Sequence, residues 1–349
     1  MIQRVLRSRW LYLLLAAVVV ILYTVGLPAD TTTAIEEHAR RSSLNDSLEW
    51  WPKELDAATL QSRLQEQPLL GLMLSLLSLF MGGMMAGGLA FSWWGVLTGR
   101  VRSVWVFSSR RPSAWSFGEL WRIAALLCVA FSLVSLTRFL PAARALGLPT
   151  RSHLWIPLSM LLLDSFVVLA ICAFAAGKPV PVRRAVGFPE RPLLPALVQG
   201  FKAYLAVFPW LFLLLFLTVE AIRFFHLKPP LEPIQELLFK ERDPRVIGLL
   251  VLLSCAIGPV AEELFFRGVL FAALRRHLSR GRAILISGAA FALIHTNPVG
   301  FLPILLIGSL LAYLYERTGS LAAPIAVHIV HNTFLMSLGL VMRRLMLHA

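Results

Sequence analysis

The sequence predicts an all-α protein, a polytopic transmembrane helical bundle of about eight spanning helices with one short run near its end a candidate for re-entry. Three observations carry that expectation. Of 349 residues, 58% are hydrophobic and only 15% are charged, with a mean hydropathy of +0.73, which is too little charge for a soluble domain of this size. Several apolar windows reach the roughly 20 residues that a helix needs to cross a hydrocarbon core. The Lys and Arg residues fall mostly in short loops between those windows, as the positive-inside rule requires.

The net charge of +14 would suggest nucleic acid in a soluble chain. Here no basic stripe with interleaved aromatics forms a docking face, so nucleic acid is not an expected partner. The expected surroundings are a lipid bilayer, with the chain multi-pass in the cell membrane. Cys128, Cys172 and Cys255 all lie in apolar segments without a CxxC spacing. That argues against a disulfide framework or a thiolate zinc site and for cysteines used as small packing residues.

In chain order, Arg4, Arg7 and Arg9 precede an apolar run over residues 10–25. The run is longer than a usual signal-peptide core and no small-x-small cleavage site follows, so residues 1–27 read as a retained anchor with a cytoplasmic N-terminus. Residues 28–68 are polar and rich in Asp and Glu, which suits an extracytoplasmic loop carrying one or two short helices, the amphipathic stretch 44–52 among them. Residues 69–190 hold further membrane helices. In the run 69–97, Gly83 and Gly87 form a small-xxx-small face for close helix packing. Basic residues Arg100, Arg102, Arg110 and Arg111, then Lys178, Arg183 and Arg184, mark inner loops.

Residues 191–349 form the last segment, a helical bundle with apolar runs at 194–225, 246–274, 283–295, 301–315 and 321–342. The runs on either side of Thr296-Asn-Pro-Val-Gly300 are shorter than a full span. Re-entry is tolerated where backbone lines a polar cavity. A full span at every run would leave Arg343 and Arg344 on the outer side, against the charge rule.

Ionisable groups are costly in a bilayer and persist mainly where they face a bundle interior or a wet cavity and pair with one another. Three of these last runs carry them. In Ala261-Glu262-Glu263-Leu-Phe-Phe-Arg267, Glu263 and Arg267 stand at i,i+4 in the favourable order for an ion pair. Glu262 points about 100° away on a helix and is left to face a cavity as a proton shuttle. His295 follows Phe291 by one turn. His328 and Asn332 share a helix face, and His331 lies about 60° to the side of His328, as a supporting or helix-packing residue. Glu262 and His295 could polarise a water, while His328 and Asn332 hold a tetrahedral oxyanion. Glu263, Arg267, Phe291 and His331 then support the site.

No metal or other cofactor is required by this arrangement. Zinc on Glu262, His295 and His328 is the alternative, since two imidazoles and a carboxylate can bind it, although no HExxH is present. A serine mechanism lacks its Gly-x-Ser-x-Gly elbow. Asp164 is the clearest other intramembrane acid and stands alone in the sequence, which suits a cap for a polar partner more than an Asp–Asp dyad.

Together these residues resemble the CPBP family (CAAX proteases and bacteriocin-processing enzymes). Its pattern is Glu-Glu-x-x-x-Arg, then Phe-x-x-x-His, then His-x-x-x-Asn on successive membrane helices. Here the motifs are Glu262-Glu263-Leu-Phe-Phe-Arg267, Phe291-Ala-Leu-Ile-His295 and His328-Ile-Val-His-Asn332, with Gly319-Ser-Leu-Ala-Ala-Pro324-Ile-Ala-Val-His328 similar to the family's approach to its last motif. The resemblance covers about residues 246–340 and leaves 1–190 outside. It implies a glutamate-dependent intramembrane endopeptidase in which Glu262 and His295 activate water and His328 and Asn332 stabilise the oxyanion. The implied partner is a membrane-associated protein or peptide, with prenylated CAAX-like chains as one class. The rival from another class is a non-catalytic membrane binding or immunity protein using the same polar residues. A transporter would favour broken helices in two matching halves, and no such symmetry is visible.

Overall fold

The computed structural model describes residues 6, 8–26, 57–99, 115–137, 147–148, 153–188, 192–226, 233–295, 297 and 299–346. No strand occurs among them; they form helices and turns. In chain order these are α1 (Arg9–Gly26), α2 (Ala57–Glu66), α3 (Pro68–Leu97), α4 (Phe117–Leu136), α5 (Trp155–Ala175), α6 (Val182–Ala185), α7 (Leu193–Phe224), α8 (Pro233–Lys240), α9 (Pro244–Leu274), α10 (Arg280–Ile294), α11 (Phe301–Thr318) and α12 (Ala322–Met346).

Seven of these helices are long and apolar enough to cross a membrane: α3, α4, α5, α7, α9, α11 and α12. The N-terminal helix α1 has 18 residues, so the expected eight is reached if it crosses as well. By contrast α10, with 15 residues, is only about 22 Å long and falls short of a hydrocarbon core of about 30 Å. This is one of the two runs that the sequence marks as too short. Of the polar region 28–68, only its end is described. It carries α2, while the amphipathic stretch 44–52 lies outside the described residues.

The helix ends follow local chemistry. At the start of α4, Ser116 and Glu119 form a reciprocal capping box, which satisfies two orphan N–H groups. Asp243 caps α9 by accepting from the Arg245 N–H, and Pro244 follows at a position where its missing N–H costs nothing. The helix α11 stops at Gly319, whose φ of 61° puts it in the left-handed conformation that glycine adopts without strain.

The chain divides into two compact units. The first is built from 1–41, 111–191 and 241–283. In it α4 packs on α1 and α5, and α5 packs on α9. At one end of this unit the Trp115 indole N–H donates to the Ala185 carbonyl at 2.9 Å. The Lys178 ammonium pairs with Glu119 and lies 4.7 Å from the Trp115 ring centre, tying the start of α4 to the end of α5 and to α6.

The second unit comprises 42–110, 192–240 and 284–349. Its centre is α7, packed against α3, α11 and α12. Lipid tails are as apolar as leucine, so association in a membrane depends on close packing more than on burial from water. That packing is supplied by Tyr204, Phe208, Leu211, Leu311, Leu314, Val327 and Phe334. A glycine allows the close approach of α3 to α7. A Cβ on Gly88 would lie 2.2 Å from the Leu205 carbonyl oxygen and 2.8 Å from the Pro209 ring. The expected Gly83–Gly87 face is therefore not the one in use. Gly83 has nothing within 4 Å of its Cβ position, and Gly87 meets only a Leu205 methyl at 3.5 Å.

Candidate active site

The first motif belongs to the first unit. The helix α9 departs twice from regular α geometry: Leu253–Ile257 and Leu264–Phe271 are π-helical, with the α turn Gly258–Glu263 between them. Such wide turns are rare and recur at functional sites. A cause of the first is legible in the chain. Pro259 has no N–H to give to the preceding turn, and it stands just where the α turn resumes. The regular helix geometry expected over 261–267 is therefore corrected from Leu264 onward, where the second wide turn begins; Pro259 was the available signal for the first.

The Glu263–Arg267 expectation agrees with this geometry. Arg267 Nη1 donates to Glu263 Oε1 at 2.6 Å, and both side chains are fully buried. The guanidinium carbon also lies 5.8 Å from the Phe266 ring centre, within cation–π range. Glu262 is half-buried. Its Oε1 lies 3.7 Å from the position a Cβ on Gly258 would take, and Asp164 Oδ2, reaching in from α5, lies 3.8 Å from that same position. Asp164, isolated in the sequence, is thus a neighbour of Glu262.

The other two motifs belong to the second unit. His295 follows the end of α10, and its Nδ1 lies 2.7 Å from the Phe291 carbonyl oxygen. A carbonyl only accepts, so Nδ1 carries the hydrogen, and in the neutral ring Nε2 keeps the lone pair. The Phe291 ring, 2% exposed, stands between two imidazoles. Its centre is 4.6 Å from that of His295 and 5.6 Å, edge to face, from that of His328. His328 is buried at 3% exposure, and Asn332 sits one turn further along α12.

The level of Phe291 is fixed by close passage of α10 and α11. A Cβ on Gly308 would lie 3.1 Å from the Phe291 ring, and one on Gly288 would lie 2.4 Å from the Ser309 hydroxyl. His331 turns toward α7 instead. Its Nδ1 shares a hydrogen bond of 3.0 Å with the hydroxyl of Tyr204, a fully buried residue, and the two rings meet edge to face at 5.8 Å. His331, expected as a supporting or helix-packing residue, thus meets α7 through Tyr204. Tyr204 escaped the sequence reading; a phenol inside an apolar helix, which needs a partner when buried, was the available signal.

Among the described residues no three His, Cys, Asp or Glu side chains form a group able to hold a metal ion. Residues 244–334 match the family described as type II CAAX prenyl endopeptidase, Rce1-like. A stretch of 90 residues, 26% of this chain, is 33% identical to YdiL, a candidate membrane peptidase of Bacillus subtilis (strain 168). The match covers 37% of the length of that relative. No solved structure matches the chain. All three polar motifs fall inside the matched stretch, so it is residues 244–334 that are similar to Rce1-like members of the CPBP membrane-protease family.

Proposed function

We propose that this protein is an intramembrane endopeptidase that hydrolyses a peptide bond of a membrane-associated substrate, with prenylated CAAX-like chains as the first class to test. The observation that carries this reading is the presence of every polar motif, from Glu262 to Asn332, within the 91 residues of the match at 244–334. The N-terminus is assigned to the cytoplasm of a cell-membrane protein, in line with Arg4 and Arg7 ahead of α1 and Arg9 at its start.

In this reading Glu262 takes a proton from the attacking water while His295 Nε2 helps to orient it. The water oxygen bonds to the scissile carbonyl carbon. His328 and the Asn332 amide donate to the oxyanion that forms there. Glu262 then returns the proton to the leaving amine as the C–N bond breaks. Glu263 is engaged by Arg267, which leaves Glu262 for the chemistry. No metal takes part in this scheme.

The test is cleavage by detergent-purified protein of fluorogenic peptides ending in a Cys-aliphatic-aliphatic-X sequence, farnesylated and unfarnesylated, with and without chelator. Wild-type cleavage that is lost in Glu262→Gln and indifferent to chelator supports the reading. Cleavage abolished by chelator moves the mechanism to a metal. Full activity in folded Glu262→Gln defeats the glutamate mechanism, and no cleavage by the folded wild type favours the binding or immunity role.

A further inference from the structure

We infer that Asp164 is a second catalytic carboxylate, which with Glu262 holds the attacking water in the recess over Gly258. The inference rests on the endopeptidase reading above and adds to it the residue that fixes the water.

Three features of the first unit support it. Gly258 and Glu262 lie one turn apart on the α segment of α9, so both face the same side. Gly258 has no side chain, and the point where a Cβ would stand is 3.7 Å from Glu262 Oε1, 3.8 Å from Asp164 Oδ2 and 3.0 Å from the Leu253 carbonyl oxygen. Two carboxylate oxygens on separate helices therefore flank one small space that the glycine keeps open. A water needs two to four polar partners to be held in a protein interior, and this recess is bordered by three acceptors.

The sequence makes a bland account of Asp164 costly. It lies within α5, a membrane-crossing helix of 21 residues whose other side chains carry no charge. A carboxylate there is expensive unless it faces a wet or polar space.

With both carboxylates accepting, the two hydrogens of the water are engaged and a lone pair on its oxygen is directed outward. In the reaction the O–H bond toward Glu262 breaks and its proton passes to Glu262. The hydrogen held by Asp164 stays on the oxygen as the bond to carbon forms. The proton on Glu262 then goes to the departing nitrogen.

The experiment compares kcat and KM of wild type, Asp164→Asn, Asp164→Glu, Gly258→Ala, Glu262→Gln and the Asp164→Asn/Glu262→Gln double variant on the farnesylated peptide, in proteins of unchanged Tm. Misplacing a reactant by about 1 Å can cost about 100-fold. The expected result is a kcat reduced tenfold or more in Asp164→Asn with KM within twofold. Partial recovery is expected in Asp164→Glu, and no further loss when Asp164→Asn is added to Glu262→Gln. Gly258→Ala, whose methyl would stand in the recess in van der Waals contact with both carboxylate oxygens while leaving both acids in the chain, should lose kcat in the same way. Wild-type kcat in Asp164→Asn and Gly258→Ala, alongside an inactive Glu262→Gln, overturns this inference alone. An active Glu262→Gln overturns the reading beneath it. Should Asp164→Asn fail to fold, Asp164→Glu and Gly258→Ala decide by the same kcat criterion.

Discussion

Glu263 and Arg267 are one turn apart on α9, joined at 2.6 Å with neither side chain exposed. Breaking such a pair leaves one charge buried alone, at a cost of about 3–5 kcal/mol. Glu263→Gln and Arg267→Met should each lower the Tm in detergent by many degrees. Glu262→Gln, one residue away, should leave Tm nearly unchanged while abolishing cleavage. Equal Tm losses at 262 and 263 would contradict the division of labour between the two glutamates.

Gly88 and Gly83 are a matched pair for the packing of α3. A methyl on Gly88 would meet the backbone oxygen of Leu205, which cannot step aside as a flexible side chain could. Gly88→Ala should destabilise by about 1–3 kcal/mol through overpacking. Gly83→Ala meets open space and should be neutral, or gain up to about 1 kcal/mol from helix propensity. Thermal unfolding of both variants checks this, and a larger loss at Gly83 would place the tight crossing elsewhere.

The contrast shows what the chain disclosed. Hydropathy runs gave the membrane helices because a bilayer enforces length and apolarity on any span. The charged and imidazole residues stood out because a bilayer penalises them. The choice between Gly83 and Gly88 was hidden, since both satisfy the same spacing rule and only the position of Leu205 and Pro209 on α7 decides. The closeness of Asp164 to Glu262 was hidden for a similar reason: the two are 98 residues apart in the chain, and no local pattern links them. The π turns around Glu262 break the 100° arithmetic, yet the Glu263–Arg267 pairing survives because a long arginine side chain tolerates the altered pitch.

Tyr204 and His331 make a polar contact between α7 and α12 at 3.0 Å. Tyr204→Phe preserves the ring and its edge-to-face contact and removes only the hydroxyl. The expected outcome is a loss of about 1 kcal/mol in stability, with kcat within twofold of wild type. A loss of activity beyond tenfold at unchanged Tm would give His331 the supporting role at the site instead.

Glu241 precedes α9 and lies outside the membrane-crossing segment. It accepts the Asp243 and Arg242 N–H groups at 2.8 and 2.7 Å and lies 2.6 Å from His153 Nδ1. Its carboxyl is held below the usual range, chiefly by the Asp243 N–H. A group depressed on folding stabilises above its unfolded value of about 4.3 and loses that contribution as pH falls through the folded value. Tm should therefore decline between about pH 5 and 3 in the wild type, and this decline should be smaller in Glu241→Gln, whose Tm is already lower at pH 7. Identical pH dependence in the two proteins would remove Glu241 as the source.

Gln67 and Arg344 bear on which way the second unit faces. Arg344 Nε donates to Gln67 Oε1 at 3.1 Å, and the Arg63 guanidinium reaches the Leu345 carbonyl. Along the same two helices, Phe80 meets Phe334 at 5.2 Å between ring centres, and Leu70 packs with Val341 and Leu345. So α3 and α12 are antiparallel, and the start of one shares a membrane face with the end of the other. The acidic region 28–68 on the outer side and Arg343–Arg344 on the inner side cannot both hold. The positive-inside rule counts the whole set of short loops, and two arginines are outweighed by Arg100, Arg102, Arg183, Arg184, Arg275 and Arg276 on the loops expected inside. Gln67→Cys and Arg344→Cys, each in a background with Cys128, Cys172 and Cys255 replaced by Ala, should therefore react with a membrane-impermeant maleimide from the same side of intact cells, the outer one. Labelling of the two from opposite sides would refute the antiparallel pairing, and labelling of both only after lysis would invert the orientation while keeping the fold.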